Sequence, residues 1–173
     1  DGDLHLSGNE LLEFMIAYNR SLTLLDDYDH QSFELPNGSK DVYRIEYKEC
    51  LDIVKRSKFT GKNDNFGKER DKSFDSSIST IYQTYDGNEL YPTLEQKAAM
   101  LLYLVTKNHS FIDGNKRIAS TVFLYFLDRN KSLFVDGRKR ISDETLATLT
   151  ILIAASNPQD KDIIINLILA ILN

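Results

Sequence analysis

The densest group of reactive side chains lies in residues 109–117, which read His-Ser-Phe-Ile-Asp-Gly-Asn-Lys-Arg. Gly114 and Asn115 are turn formers at a predicted helix start, where unpaired N–H groups and the positive end of the helix dipole attract anions. Lys116 and Arg117 oppose that dipole, which favours acidic residues in the first turn. A polyanion such as a phosphate chain would explain their presence.

Two more side chains in this segment add chemistry. Asp113 offers a hard carboxylate suited to Mg²⁺, which in proteins takes one or two carboxylates together with phosphate oxygens. His109 offers an imidazole, which can be neutral near pH 7 and take a proton from a hydroxyl. A base, a metal ligand and an anion site share one use, which is phosphoryl or nucleotidyl chemistry on a nucleoside triphosphate.

The hydrophobic spacing predicts helices on both sides of this segment. Thr93 and Gln96 fit a capping box that opens an apolar helix ending near Asn108, and the next helix fades at 128–130. Four further helices are predicted: residues 9–25, residues 41–54 with Cys50 as a small packed hydrophobe, one capped by Ser142 or Asp143, and one opened by Asn157 and Pro158. The fold class is therefore all-α.

One Asp-Gly turn predicts a short hairpin within residues 77–92, and a second, near residues 133–137, predicts a small hairpin or an extended turn. We place Ile78, Ile81 and Tyr82 on the strands of the first hairpin.

Residues 55–76 have a different character. Their first part, residues 55–72, carries seven Lys or Arg against three Asp or Glu. Charge runs are usually solvated, so we interpret the segment as a mobile basic loop, with a phosphate-attracting rim as the alternative. A P-loop is excluded because the spacing to Lys68 is one residue too long and Glu69 stands where Ser or Thr is needed.

Composition narrows the class of protein. The 173 residues amount to about one domain, and a net charge of −5 argues against broad nucleic-acid binding. The single cysteine rules out an internal disulfide and a Cys-based zinc site. No apolar run reaches the roughly 20 residues of a membrane helix. We expect a cytoplasmic protein without membrane contact and, because the chain begins with Asp1, a domain cut from a longer one.

Residues 109–117 resemble the signature of the Fic/Doc family, His-x-Phe-x-(Asp/Glu)-Gly-Asn-(Gly/Lys)-Arg, and match it at every fixed position. The order of elements over residues 78–157 also resembles the family core. The resemblance implies a Fic-like helical bundle with a small β-hairpin flap next to the active-site loop. Residues 41–173 would be the catalytic domain, and residues 1–40 an N-terminal helix and turn, or a linker from a missing domain.

The resemblance also implies roles. His109 would be the general base on a target hydroxyl, Asp113 would hold Mg²⁺, Arg117 would neutralise transition-state charge, and Phe111 would anchor the loop in the core. The residues implied for nucleotide binding are Gly114, Asn115, Lys116, Arg117 and Tyr82, with Tyr85 as an alternative to Tyr82. The residues implied for docking a target segment on the flap are Ile78, Ile81 and Gln83.

The implied activity is transfer of AMP from ATP, or from another nucleoside triphosphate, with Mg²⁺ to a Ser, Thr or Tyr hydroxyl of a protein. Three positions bear on which group moves. Lys116 resembles the Doc-like branch, which is linked to phosphate transfer, whereas Gly114 matches the AMP-transferring branch. Ser120 stands where many AMP-transferring members carry a second Arg.

Alternatives stay open. One is Doc-like phosphate transfer, and another is a catalytically idle Fic-like interaction module, suggested by Ser120 and the very apolar last helix. A third is a metal hydrolase using His109 and Asp113 with His5 or His30. No Ser or Thr is followed four residues later by Glu, the spacing of the family's self-inhibitory segment, so we expect regulation by a separate chain or a missing domain.

Overall fold

The computed structural model describes residues 43–57 and 64–173. Within these ranges the chain forms a bundle of α-helices, and the all-α fold class is confirmed. The helices are α1 Tyr47–Arg56, α2 Ser73–Thr80, α3 Leu94–Lys107, α4 Asn115–Arg129, α5 Asp143–Ala155 and α6 Lys161–Leu172, with a 3-10 turn at Pro158–Asp160. The helix predicted at 9–25 lies outside the described residues, and the division of the chain near residue 40 stays a prediction.

Helix α3 is the centre of the bundle. It packs along α4 and also contacts α2, α5 and α6. Ten of its 14 residues are buried, as expected for a helix that is apolar on most of its circumference. Because α3 and α4 are the helices on either side of residues 109–114, their packing fixes both ends of that loop.

Helix ends follow local capping chemistry. The capping box is confirmed, since the Thr93 hydroxyl accepts from the Gln96 N–H and the Gln96 side chain accepts from the Thr93 N–H. Ser142 caps α5. The helix predicted to begin at residue 41 begins at Tyr47 instead, because Glu46 and Glu49 form their own capping box.

The two Asp-Gly hairpins are confirmed. Strand β1 (Thr84–Tyr85) pairs antiparallel with β2 (Asn88–Glu89), and β3 (Phe134–Val135) pairs antiparallel with β4 (Arg138–Lys139). The Asp and Gly of each turn have positive φ, as the tight mirror-image hairpin turns require.

The strand residues predicted for the first hairpin are wrong. Ile78 lies on α2 and Ile81 caps its C-terminal end, and these side chains are only 3% and 0% exposed. Together with Phe74 they repeat at i, i+4 and i+7, which places them on one helix face. Because they face the core, they cannot dock a target segment by strand pairing.

The first hairpin lies at the N-terminal end of α3. The buried Lys97 ammonium donates to the Tyr91 carbonyl at 2.5 Å and pairs with Glu89 at 3.2 Å. The motif loop follows the other end of α3, and a helix of 14 residues is about 21 Å long. The structure therefore separates this hairpin from the motif loop by the length of a helix.

The last helix uses its wide apolar surface within the bundle. Its side chains Ile164, Leu167, Ile168 and Leu172 are buried, and α6 packs against α3. Ile163 is 38% exposed. Of the helices in the described ranges, none is both long enough and apolar enough to cross a membrane.

Cys50 provides a first test of the core. It is buried on α1, and burial, followed by the nearby charge of Glu49, raises the pKa of its thiol to about 12. Only the thiolate reacts with disulfide reagents, so we expect the native protein at pH 8 to react with Ellman's reagent roughly 1,000-fold more slowly than the urea-unfolded protein. Equal rates would contradict the packing of α1, and no other cysteine contributes.

Candidate active site

The motif loop, residues 109–114, joins α3 to α4 through two left-handed backbone positions. Gly114 has φ +91° and caps the N-terminus of α4, and His109 has φ +51°. Glycine adopts this region freely, whereas a residue with a side chain is uncommon there. The loop therefore holds an unusual backbone conformation at each end.

Asn115 closes the loop from inside. Its side chain is buried, Oδ1 accepts from the Phe111 N–H at 2.9 Å, and Nδ2 donates to the Phe111 carbonyl at 2.8 Å. Nδ2 also lies 3.3 Å from Nδ1 of His109. One amide thus connects the start of α4 to the middle and the beginning of the loop.

The His109 ring is exposed to solvent and held on one side by Asn115. The two bonds to Phe111 fix the orientation of the Asn115 amide, so the group facing Nδ1 of His109 is an NH₂. The amide limits how the imidazole can turn, and a general base needs such positioning within reach of the proton it removes.

The underside of the loop is anchored to α2. Phe111 is 0% exposed and packs edge-on against Phe74, with ring centroids 4.9 Å apart. The buried Ser110 hydroxyl lies 2.6 Å from that of Ser73. Phe111 therefore lies in the core, as the resemblance implies for it.

Residues 64–70, here called the strap, run along the outside of the motif loop. The carboxylate of Glu69 accepts from the Tyr47 hydroxyl at 2.7 Å, which ties the strap to α1. Three backbone hydrogen bonds join strap and loop: Gly67 N–H to Asp113 O at 3.2 Å, Ile112 N–H to Lys68 O at 2.9 Å, and Arg70 N–H to Ser110 O at 2.8 Å. The loop is thus held between α2 and the strap.

The beginning of α4 has the features of an anion site. The first helical hydrogen bond runs from the Ile118 N–H to the Gly114 carbonyl, and the N–H groups of the residues between them belong to the first turn, which lacks intrahelical acceptors. Lys116 and Arg117 are exposed on this turn. The first turn of α4 therefore combines backbone N–H groups, the helix dipole and two cations, which are features that favour binding of phosphate.

Asp113 is half-buried immediately before this turn. Within residues 43–57 and 64–173, no three His, Cys, Asp or Glu side chains gather into a metal-holding cluster. Mg²⁺ does not need one, because it keeps several waters and binds through one or two carboxylates plus substrate phosphates. The single carboxylate of Asp113 therefore suits Mg²⁺ that would arrive with a nucleotide.

Comparison with known proteins agrees with this geometry. Residues 44–127 match the model of the Fic/DOC family. This region of the chain belongs to the Fic/DOC family. Toxin Doc of Mycolicibacterium smegmatis is 39% identical over 56 residues, which cover 32% of this chain and 43% of that toxin, so less than half of the relative's length is matched. No solved structure gives a significant match.

The structure brings His109, Phe111 and Asp113 together with the start of α4, which carries the Gly114, Asn115, Lys116 and Arg117 of the family signature. These residues form one compact Fic/DOC loop.

Other residues predicted for the site lie elsewhere. Tyr82 follows α2, its hydroxyl accepts from the Ile45 N–H at 2.8 Å, and the Arg44 guanidinium lies 4.5 Å above its ring. Burial raises its pKa to about 12. The opposite end of α2, at Ser73, is the one that touches the Fic/DOC loop. Gln83 is exposed at the base of the first hairpin, where its carbonyl accepts from the Leu90 N–H.

The prediction of one basic loop over residues 55–76 is wrong for its described part. Lys55 and Arg56 end α1, and residues 73–76 begin α2. Residues 64–70 form the strap, and residues 58–63 lie outside the described residues. Within residues 64–70, the sequence indicates packing only through an aromatic residue followed by glycine, Phe66 and Gly67.

The Asn115 amide gives a stability test of the Fic/DOC loop. Asn115→Ala leaves the N–H and carbonyl of Phe111 without their partners, and each buried unsatisfied group costs about 1–3 kcal/mol. We expect a loss of roughly 3 kcal/mol in the free energy of unfolding by urea, together with loss of any ATP binding. Asn88→Ala on the exposed first hairpin is the control, and equal losses for the two variants would contradict the assignment.

Proposed function

We propose that this Fic/DOC domain is a nucleotide-dependent transferase that moves a phosphorus-containing group from a nucleoside triphosphate to a hydroxyl of a protein. The observation that carries the proposal is the geometry of one loop. The exposed imidazole of His109 lies against the side-chain amide of Asn115, the first residue of α4 and of its candidate anion site. A base is thereby held beside the place where phosphates would bind.

The reaction follows from these positions. His109 takes the proton of the target hydroxyl as the oxygen attacks phosphorus, so an O–P bond forms and the bond to the leaving phosphate oxygen breaks. The first-turn N–H groups and Arg117 stabilise the developing negative charge. Asp113 would hold Mg²⁺, which when bound neutralises phosphate charge. Binding groups and base come from one rigid loop, so orientation supplies much of the rate.

Phosphate transfer is the favoured form of this reaction. Lys116 is exposed in the first turn of α4, the position whose Lys resembles the Doc-like branch, and the chain is similar to a protein named toxin Doc. Gly114 does not weigh against this choice. A methyl group there would lie 2.3 Å from the Phe66 ring, so packing in this chain demands Gly whichever group is transferred.

Transfer of AMP is the second candidate. Gly114 is the residue found in the AMP-transferring branch, and this reaction would use the same base and anion site. In that reaction the leaving group is pyrophosphate rather than ADP.

Labelled nucleotides separate the candidates. The protein is incubated with Mg²⁺ and a lysate as a source of target proteins, with ATP labelled in the α- or γ-phosphate. Label from γ alone indicates phosphate transfer, and label from α indicates AMP transfer. Unlabelled GTP, CTP and UTP as competitors identify the preferred base. No transfer from either label, together with no binding of ATP and Mg²⁺ by calorimetry, would support the interaction module instead.

A further inference from the structure

The side chain of Phe66, on the strap, reaches the beginning of α4. A Cβ at Gly114 would lie 2.3, 2.5 and 3.2 Å from three carbons of the Phe66 ring. The backbone of Phe66 also pairs with Asp113 in an isolated parallel bridge. The ring therefore rests against the left-handed turn from which the anion site starts.

The same ring lies beneath Arg117. The guanidinium carbon is 5.9 Å from the ring centroid, within the range of a cation–π contact. Arg117 is exposed, and an exposed arginine has many rotamers of similar energy. A ring fixed by the strap favours the rotamers that keep the guanidinium over the start of α4.

We infer that Phe66 is a positioning residue of the proposed transferase, because it holds the Gly114 turn and orients the Arg117 guanidinium toward the anion site. The inference rests on the proposed function for its kinetic consequences. Phe66 acts through Arg117 and the turn, not on the reacting atoms. A leucine would fill part of the same space but has no aromatic face for a cation.

The kinetic test compares variants of the ring. Phe66→Leu is expected to lower kcat for label transfer about 5-fold with the KM for ATP within 2-fold, because Arg117 acts on transition-state charge. Phe66→Tyr, which keeps the aromatic face, is expected to retain at least half of the wild-type kcat. The matched control is Tyr43→Leu, which removes a ring lying 4.1 Å from Arg129 at the other end of α4 and should leave kcat unchanged.

A double variant separates positioning from packing. If Phe66 acts through Arg117, Phe66→Leu changes the residual rate of Arg117→Ala by less than 2-fold. A purely structural role predicts that the two losses multiply. Multiplied losses, or equal rates for Phe66→Leu and Phe66→Tyr, would overturn the inference.

A fluorescence measurement tests the contact between residue 66 and Arg117 without relying on the proposed function. The chain has no tryptophan, so Phe66→Trp introduces a single tryptophan at the contact between the strap and Arg117. The tryptophan emission, excited apart from that of the nine tyrosines, is expected to change in an Arg117→Ala background but not in an Arg129→Ala background. If it does not change in the Arg117→Ala background, the inference is overturned even in an active enzyme. A response to Arg117 without label transfer to any protein would instead overturn the proposed function.

Discussion

Replacing His109 with Asn is expected to abolish label transfer while the protein stays folded. A general base contributes about 10²- to 10⁴-fold to rate, so kcat should fall roughly 1,000-fold. The affinity for ATP with Mg²⁺ should stay within 2-fold, because the anion site is built from α4 and not from the imidazole. Initial rates of label transfer and calorimetric titration with ATP measure these two quantities.

The backbone decides which substitution makes a clean test. His109 has φ +51°, a left-handed conformation that Asn tolerates and that costs other residues with a side chain about 1–2 kcal/mol. His109→Ala would therefore lose both the base and part of the loop's stability. Urea unfolding should show His109→Asn close to wild type and His109→Ala below it. A rate for His109→Asn above one-tenth of wild type would show that another group removes the proton.

The parts of the fold that sequence predicts well are those determined by neighbours along the chain. Thr93 with Gln96, the two Asp-Gly turns and the helices around residues 109–117 depend on contacts within a few residues. The position of the Fic/DOC loop could be predicted for the same reason, since nine consecutive residues carry the family signature. Local chemistry is visible in local sequence.

Helix α2 is an element whose secondary structure could not be predicted from neighbouring residues alone. Ile78, Ile81 and the Asp-Gly turn that follows them favour a strand when read alone. The structure uses Phe74, Ile78 and Ile81 as one helix face against α3. The short, Ser-rich helix is selected by burial of that face, which is tertiary information.

The strap could not be predicted for a related reason. Its charged residues suggest solvent, yet Glu69 is paired with a Tyr47 hydroxyl 22 positions earlier in the chain. Its backbone bonds reach residues 110–113, some 40 positions away. Phe66 becomes meaningful only once Gly114 is beside it in space. The consequence is that the sequence identifies the reactive groups but not what holds them in place.

Gly114→Ala is expected to be the most damaging single-methyl change in the loop. The left-handed φ of +91° costs an alanine about 1–2 kcal/mol, and the new methyl group would meet the Phe66 ring at 2.3 Å, an overpacking cost of about 1–3 kcal/mol. We expect a loss of roughly 3 kcal/mol in the free energy of unfolding by urea, and loss of label transfer as the start of α4 shifts.

Two other glycines allow the cost of the backbone conformation to be measured apart from the cost of the contact with Phe66. Gly87 and Gly137 have φ of +79° and +76°, and a Cβ at either would meet nothing within 4 Å. Gly87→Ala and Gly137→Ala should therefore lose only the backbone cost, about 1 kcal/mol. In a Phe66→Ala background, Gly114→Ala should lose less free energy of unfolding, because the ring that the new methyl group would meet is absent. The difference between the loss of the double variant and the sum of the two single losses measures the contact between residues 66 and 114.

This comparison also decides how residue 114 bears on the choice between phosphate and AMP transfer. If Gly114→Ala loses more than Gly87→Ala and the excess disappears with Phe66→Ala, then packing against the strap requires glycine here. Residue 114 then carries no information on the transferred group, and Lys116 is left as the distinguishing position. If the two alanine variants lose equally, Phe66 places no constraint on the turn. Gly114 then counts as evidence for the AMP-transferring branch, and the preference for phosphate transfer must be given up unless the γ-label reaches the target.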